Sequence, residues 1–176
     1  MSRESPLSEE KEVFVDANIF IAIGDPSNSK FTQFRSAVRT AGIVLKLPRR
    51  VIGEVGGRDT YRVQTALDES WAEIIDAPDP TDGDAVAASD IARRTIANAT
   101  DKPEHEVEKT DTILAGLAIQ YVRDHSTSDV IVLTDDKPAK EGIQNAVTAQ
   151  GYTETIEVCG LSDIIGDEAG GSMRLI

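Results

Sequence analysis

The sequence predicts an α/β domain built on a central parallel sheet with helices on both faces. Three observations carry this reading. Strand-like and helix-like segments alternate along the chain, at least two of the strand-like segments are continuous apolar runs, and no internal repeat or heptad is present. A strand covered on both faces reads as an unbroken apolar run, and alternation with helices is the mark of parallel crossovers.

Taken in order, residues 1–11 form a charged, acidic leader, and EVFVD over Glu12–Asp16 is a short buried strand. ANIFIAIG follows as a short helix, closed by Gly24, Asp25 and Pro26. Residues 28–41 place Phe31, Phe34 and Val38 on one helical stripe, with Gly42 as the stop. IVLKL over 43–47 is a second strand, and Pro48 is expected to open a short helix that carries Glu54 and ends at Gly56 and Gly57. Residues 59–70 read as helix and 72–77 as a strand or buried extended piece. A loop, PDPTDGD, leads to a helix from about Asp82 to Ala99, and TDKP breaks it. Helical spacing then runs from Pro103 to about Asp124, with Val107, Leu114, Ala118 and Tyr121 on one face. DVIVLTD over 129–135 is the clearest strand, KPAKEGIQNAVTAQ a helix, ETIEVCG a last strand and LSDIIGDE a final short helix. The domain is thus expected over residues 12–165, with an added helical stretch between about 57 and 105 and a Gly-rich tail over 166–176.

At 176 residues the chain is one domain with a core large enough to fold without disulfides, and its single cysteine, Cys159, can form none internally. The N-terminus lacks the apolar core of a signal peptide, and no apolar run reaches the roughly 18 residues of a membrane span. A cytoplasmic protein that does not enter the membrane is expected. Asp and Glu total 31 against 18 Lys and Arg, a net charge of −13. That charge opposes any simple basic-surface grip on a nucleic acid. With 17 Asp, 14 Glu, 11 Arg and 7 Lys, the composition resembles that of salt-adapted haloarchaeal proteins; an ordinary acidic protein is the alternative.

In open parallel sheets ligands gather beyond the carboxyl ends of the strands. Both clear strands end in acids there: Asp16 closes VFVD, and Asp135 with Asp136 closes VIVLTDD. Either position also suits a helix N-cap. Asp111 is more informative, because its helical neighbours Val107, Leu114, Ala115 and Ala118 are all apolar. A carboxylate on a buried helix face must be paired, protonated or metal-bound. The competing reading starts the helix at Thr110 with Asp111 as its cap, whereas Pro103 as a first-turn residue favours an earlier start. Glu54 sits in RRVIGEVGG, within a segment, 46–62, of net charge +3 that would suit a phosphate-bearing substrate; a solvated helix face is the alternative. Four acids without a histidine or cysteine set point to a hard cation, Mg²⁺ or Mn²⁺. His105 and His125 lack zinc spacing. There is no P-loop, dinucleotide fingerprint or nucleophile elbow, and Asn18 stands where a dehalogenase-type phosphatase would need a second aspartate.

VFVDANIFI, LPRRVIGEVGG, DTILAGLA and VIVLTDD, in that order and rough spacing over most of residues 12–160, resemble the four motifs of the PIN-domain nucleases, the group of the VapC-like ribonucleases. The resemblance implies a three-layer α/β/α fold with about five parallel strands and metal-dependent hydrolysis of RNA phosphodiesters to a 5′-phosphate and a 3′-hydroxyl. It implies Asp16, Glu54, Asp111 and Asp136 as metal ligands, with Asp135 as the alternative fourth, and Asn18 and Thr134 as the residues orienting them. An RNA-processing role and a toxin role both fit. The partners implied are RNA and, for a toxin, an antitoxin protein; a homodimer is allowed. A non-catalytic PIN-like module binding RNA or protein is the alternative from another class.

Overall fold

The computed structural model describes residues 5–55, 60–125 and 128–166. Five strands, β1 (Lys11–Val15), β2 (Leu45–Pro48), β3 (Ala72–Ile75), β4 (Asp129–Leu133) and β5 (Ile156–Cys159), form one sheet in the order β3-β2-β1-β4-β5. Every pairing is parallel, and the central one aligns Val13 with Ile131 and Val15 with Leu133. The chain builds outward from β1 to β3, then returns across the sheet to add β4 beside β1. The order therefore reverses between β1 and β4, which opens a crevice at their carboxyl ends.

Helices α1 (Ala17–Ile23), α2 (Ser29–Ala41), α3 (Arg50–Val55), α4 (Thr60–Asp68) and the short α8 (Leu161–Ile165) cover one face. Helices α5 (Gly83–Thr100), α6 (Lys109–Asp124) and α7 (Lys137–Gln150) cover the other. Successive strand residues alternate between the layers, so Val130 and Val132 join one core while Ile131 and Leu133 join the other. That double burial is why VIVL reads as an unbroken apolar run. The first core centres on Trp71, ringed by Phe20, Phe31 and Phe34 at centroid distances of 5.7 to 6.3 Å. The second is built from small residues that let helices approach closely. A Cβ on Gly142 would lie 2.8 Å from Ile96 Cγ1 and 2.9 Å from the Ala92 carbonyl oxygen. Asp82 caps α5 through the Ala85 N–H at 3.1 Å and pairs with Arg123 near the end of α6, which fixes the two helices end to end.

Two boundaries differ from the sequence reading. Pro48 closes β2 instead of opening a helix, since a ring without an N–H is tolerated at a strand end, and Arg49 N–H continues to the Ile75 carbonyl at 3.2 Å. Pro103 precedes a single 3₁₀ turn, Glu104–Glu106, and α6 starts only at Lys109. Val107 lies outside the helix in extended backbone, and its burial comes from packing on Ile96 and Ala97. The leader meets the fold before its expected end, with Leu7 in the core and Lys11 in β1. The expected stop at Gly56 and Gly57 and nearly all of the tail lie outside the described residues. Among the described residues no helix is long and apolar enough to cross a membrane.

Candidate functional site

The crevice between β1 and β4 is floored by a closed hydrogen-bond network. Asp16 directly follows β1, 3% exposed, and its N–H extends the ladder to the Leu133 carbonyl at 2.9 Å. It occupies the N-cap position of α1, yet its side chain makes no capping bond to the N2 or N3 amide. The carboxylate turns instead to β4. Oδ2 accepts from Thr134 Oγ1 at 2.8 Å and from Asn18 Nδ2 at 3.0 Å. Thr134, fully buried, accepts in turn from Asn18 Nδ2 and from Asp136 N–H, both at 3.2 Å. Asn18 Oδ1 accepts from Asp135 N–H at 3.0 Å, which fixes which way the amide points. The hydroxyl has one proton and two lone pairs, and all are engaged.

Asp111 enters from the opposite layer on the first turn of α6. Neither sequence alternative holds in full: the helix begins six residues after Pro103, Glu108 is at the N-cap position, and Asp111 stands inside the helix. It is buried and within hydrogen-bonding reach of Asp16. Burial first, then the charges of Asp16 and Asp136, the hydrogen bond to Asp16 and the charge of Glu54 raise its carboxyl to about 9. Burial also raises Asp16, against the pull of its bonds to Thr134 and Asp111. The pair thus shares a proton at neutral pH. Glu54, on α3, accepts from the buried Thr110 Oγ1 at 2.6 Å. Its carboxyl is raised by burial and by Asp16 and Glu108, while Thr110 and Arg50 act the other way.

The doubled aspartate separates into two roles. Asp136 is at the N-cap of α7, where Oδ1 accepts from Ala139 N–H at 3.2 Å, and its charge acts on both Asp16 and Asp111. Asp135 reaches the other way, accepting from Leu161 N–H at 2.7 Å to start α8. Gly160 makes room for it, because a Cβ there would lie 2.7 Å from Asp135 Oδ1.

Asp16, Asn18, Thr134 and Asp136 are thus joined by hydrogen bonds at one sheet edge, and Asp111 and Glu54 act on Asp16 through their charge. Among the described residues, no Lys or Arg pairs with Asp16 or Asp111, and no three His, Cys, Asp or Glu side chains converge as a finished cation site. Buried like charges close up only as far as a shared proton allows. The donor set, all carboxylate oxygen and with Arg50 acting on Glu54 alone, fits a hard divalent cation in that proton's place. The basic segment is less available than its net charge suggests. Lys46 pairs with Glu73 and Glu12, Arg49 with Asp76 at 3.4 Å, and Arg62 with Asp25 at 3.2 Å; Arg58 lies outside the described residues. Sequence reasoning missed Thr110 as the group that holds Glu54. A hydroxyl beside the acid of KTDT was the available signal. His105 and His125 are exposed, and His125 stacks on Tyr121 with ring centroids 4.1 Å apart.

A five-stranded parallel sheet reversing beside its first strand, with acids on that edge, defines a PIN-like α/β/α domain. The model of the halobacterial PIN domain matches residues 9–173, and the chain belongs to that family. No curated protein and no solved structure matches it.

Proposed function

We propose that this chain is a metal-dependent endoribonuclease that hydrolyses RNA phosphodiesters at the β1–β4 crevice. Family membership supports a nuclease-type function. The observation that carries the finer reading is the Asp16–Asp111 pair, two buried carboxyls brought from opposite layers to act on one another, with no Lys or Arg paired to either among the described residues. Burying such a pair costs several kcal/mol unless something positive joins it.

In this reading Asp16, Glu54, Asp111 and Asp136 would hold Mg²⁺ or Mn²⁺. When bound, the ion supplies charge to the scissile phosphate and lowers the pKa of a coordinated water. Thr134 and Asn18 hold Asp16 in one orientation, so that Oδ2 is engaged and the rest of the carboxylate faces the crevice. Thr110 holds Glu54 in the same way. Asp111 gives up its proton as the cation enters. No side-chain nucleophile is needed, and Cys159 is unsuited to serve as one, because burial, Glu157 and Asp163 push its thiol to about 12.

The test is RNA cleavage in Mn²⁺ by the parent and by Asp111→Asn. The variant should lose activity by orders of magnitude, since amide replaces carboxylate at a ligand position. Equal activity of the two proteins would end the proposal. A second reading, a PIN-like module that binds RNA or protein without cutting it, is favoured by one observation, that no three acids converge on one point among the described residues. It predicts RNA binding without cleavage in either metal.

A further inference from the structure

The chain has four Phe, three Tyr and one Trp. Every Phe and the Trp are buried, Tyr121 and Tyr152 are half-buried, and Tyr61 alone is exposed, at 45%. Its place is not arbitrary. Helix α4 runs between parallel strands β2 and β3, so it starts on the carboxyl edge of the sheet, the edge that carries the acids. The start of α4 is fastened to α1, whose own first turn holds Asn18. Arg62 bonds to Asp25 at 3.2 Å and to the carbonyls of Phe20 and Ile21 at 3.4 and 3.1 Å. The Tyr61 hydroxyl faces the same acid, and Asp25 raises its phenol. Ile21, three residues beyond Asn18 and so on the same helical stripe, is 50% exposed. Two of the four large apolar side chains that the described residues expose thus form a corner at the α1–α4 junction, on the helix that leads away from Asp16.

Charge says what can use that corner. A protein of net charge −13 gains little from long-range attraction to a polyphosphate, and of the arginines near the site Arg49 and Arg62 are engaged in ion pairs while Arg50 stands beside Glu54. A grip on RNA must then come from contacts that charge does not oppose. Base–aromatic stacking is such a contact, and it is tolerant of sequence. We propose that Tyr61, with Ile21 beside it, is the platform on which an unpaired base of a single-stranded RNA stacks as its backbone crosses the Asp16–Asp111 crevice. A base inside a duplex has no free face to offer, so the platform selects single strands. The inference rests on reading the carboxylate site as one that acts on RNA, and it adds the residue that anchors the substrate.

The experiment measures binding of a fluorescent RNA oligonucleotide by anisotropy in Mg²⁺, with Asp111→Asn as background so that nothing is cut, at two KCl concentrations. Single strands should bind and the matched duplex should not. Tyr61→Ala should weaken single-strand binding about tenfold, by the same factor at both salts. Tyr61→Phe, which keeps the ring and loses the hydroxyl, should bind as the background does, and Tyr61→Trp at least as well. All three Tyr61 variants should melt with the background, separating a binding effect from a folding one. Binding unchanged in Tyr61→Ala, or lost equally in Tyr61→Phe, or tighter for duplex, would overturn the platform. Cleavage by the parent that ignores Tyr61 would remove the platform and leave the nuclease reading; Tyr61-dependent binding without any cleavage would do the reverse.

Discussion

Thr134 Oγ1 donates to Asp16 Oδ2 at 2.8 Å across 118 residues of chain. This one bond joins the ends of the two strands between which the sheet reverses, and Asn18 closes the same ring at 3.0 and 3.2 Å. The first acid is therefore oriented by β4 and α1 before any ligand arrives. Only Asp111, Glu54 and Asp136 come to it from other elements.

The raised carboxyls set the direction of a pH effect. Asp111 stands at about 9 in the folded protein, against about 3.9 for an unperturbed aspartate. A group whose folded value is raised contributes stability that is complete below the unfolded value and is lost as pH climbs through the folded one. Asp16 and Glu54 shift the same way. In EDTA at fixed KCl, the melting temperature should fall from pH 5 to pH 9. Asp111→Asn should flatten that slope and melt above the parent at pH 9. A parent melting curve that rises over this window contradicts the shared-proton pair.

Asp135 and Asp136 should separate in a paired substitution. Asp136→Asn keeps the α7 cap, because Asn caps about as well as Asp, but removes a charge from the crevice. Asp135→Asn still presents an oxygen to Leu161 N–H and leaves the crevice untouched. Cleavage rates in Mn²⁺ should fall far more for Asp136→Asn, with little difference in melting between the two. The opposite ranking would move the fourth ligand to Asp135.

The net charge of −13 should make the fold depend on salt. At 0.01 M the Debye length is about 30 Å and surface acids repel across the whole molecule; at 1 M it is about 3 Å. Melting temperature should climb between those concentrations of KCl. A flat response would mark the acidity as ordinary rather than adaptive.

Two glycines should answer alanine in opposite directions. At Gly142 the new Cβ would meet the Ala92 carbonyl at 2.9 Å, an atom of the backbone that has nowhere to go, so Gly142→Ala should cost about 1–3 kcal/mol. At Gly53, inside α3, a Cβ meets nothing within 4 Å. Gly53→Ala should gain about 0.5–1 kcal/mol from helix preference alone. Urea unfolding of both variants checks the pair, and destabilisation by both would show that α3 has a neighbour not accounted for.

What could be read from the sequence follows how local each signal is. The bounds of α7 were legible because Asp136 caps it and Gly151, in the left-handed region, stops it, both within the segment itself. The strand VIVL was legible because burial on both faces leaves an unbroken apolar run. Asp16, Asp111 and Asp136 stood out by position on their elements. Val107 misled, since it is buried by the end of α5 and not by a helix of its own. The +3 segment misled as well: Lys46, Arg49 and Arg62 are neutralised by Glu73, Asp76 and Asp25, partners that only the sheet and the α1–α4 junction bring near. Thr110 was silent for the same reason, because Glu54 lies 56 residues away.

The lone indole of Trp71 also divides the molecule optically. It is sealed among Phe20, Phe31 and Phe34 on the α1–α4 side, with its N–H on Glu69 at 2.8 Å, while the α5–α7 side holds no tryptophan at all. Its emission therefore reports one layer, whereas far-ultraviolet dichroism sums the helices of both. Coincident transitions by the two signals would mean that the layers unlock together through the sheet. A gap between them would identify which half of the crevice opens first, and with it whether Asp16 or Asp111 is the earlier to reach water.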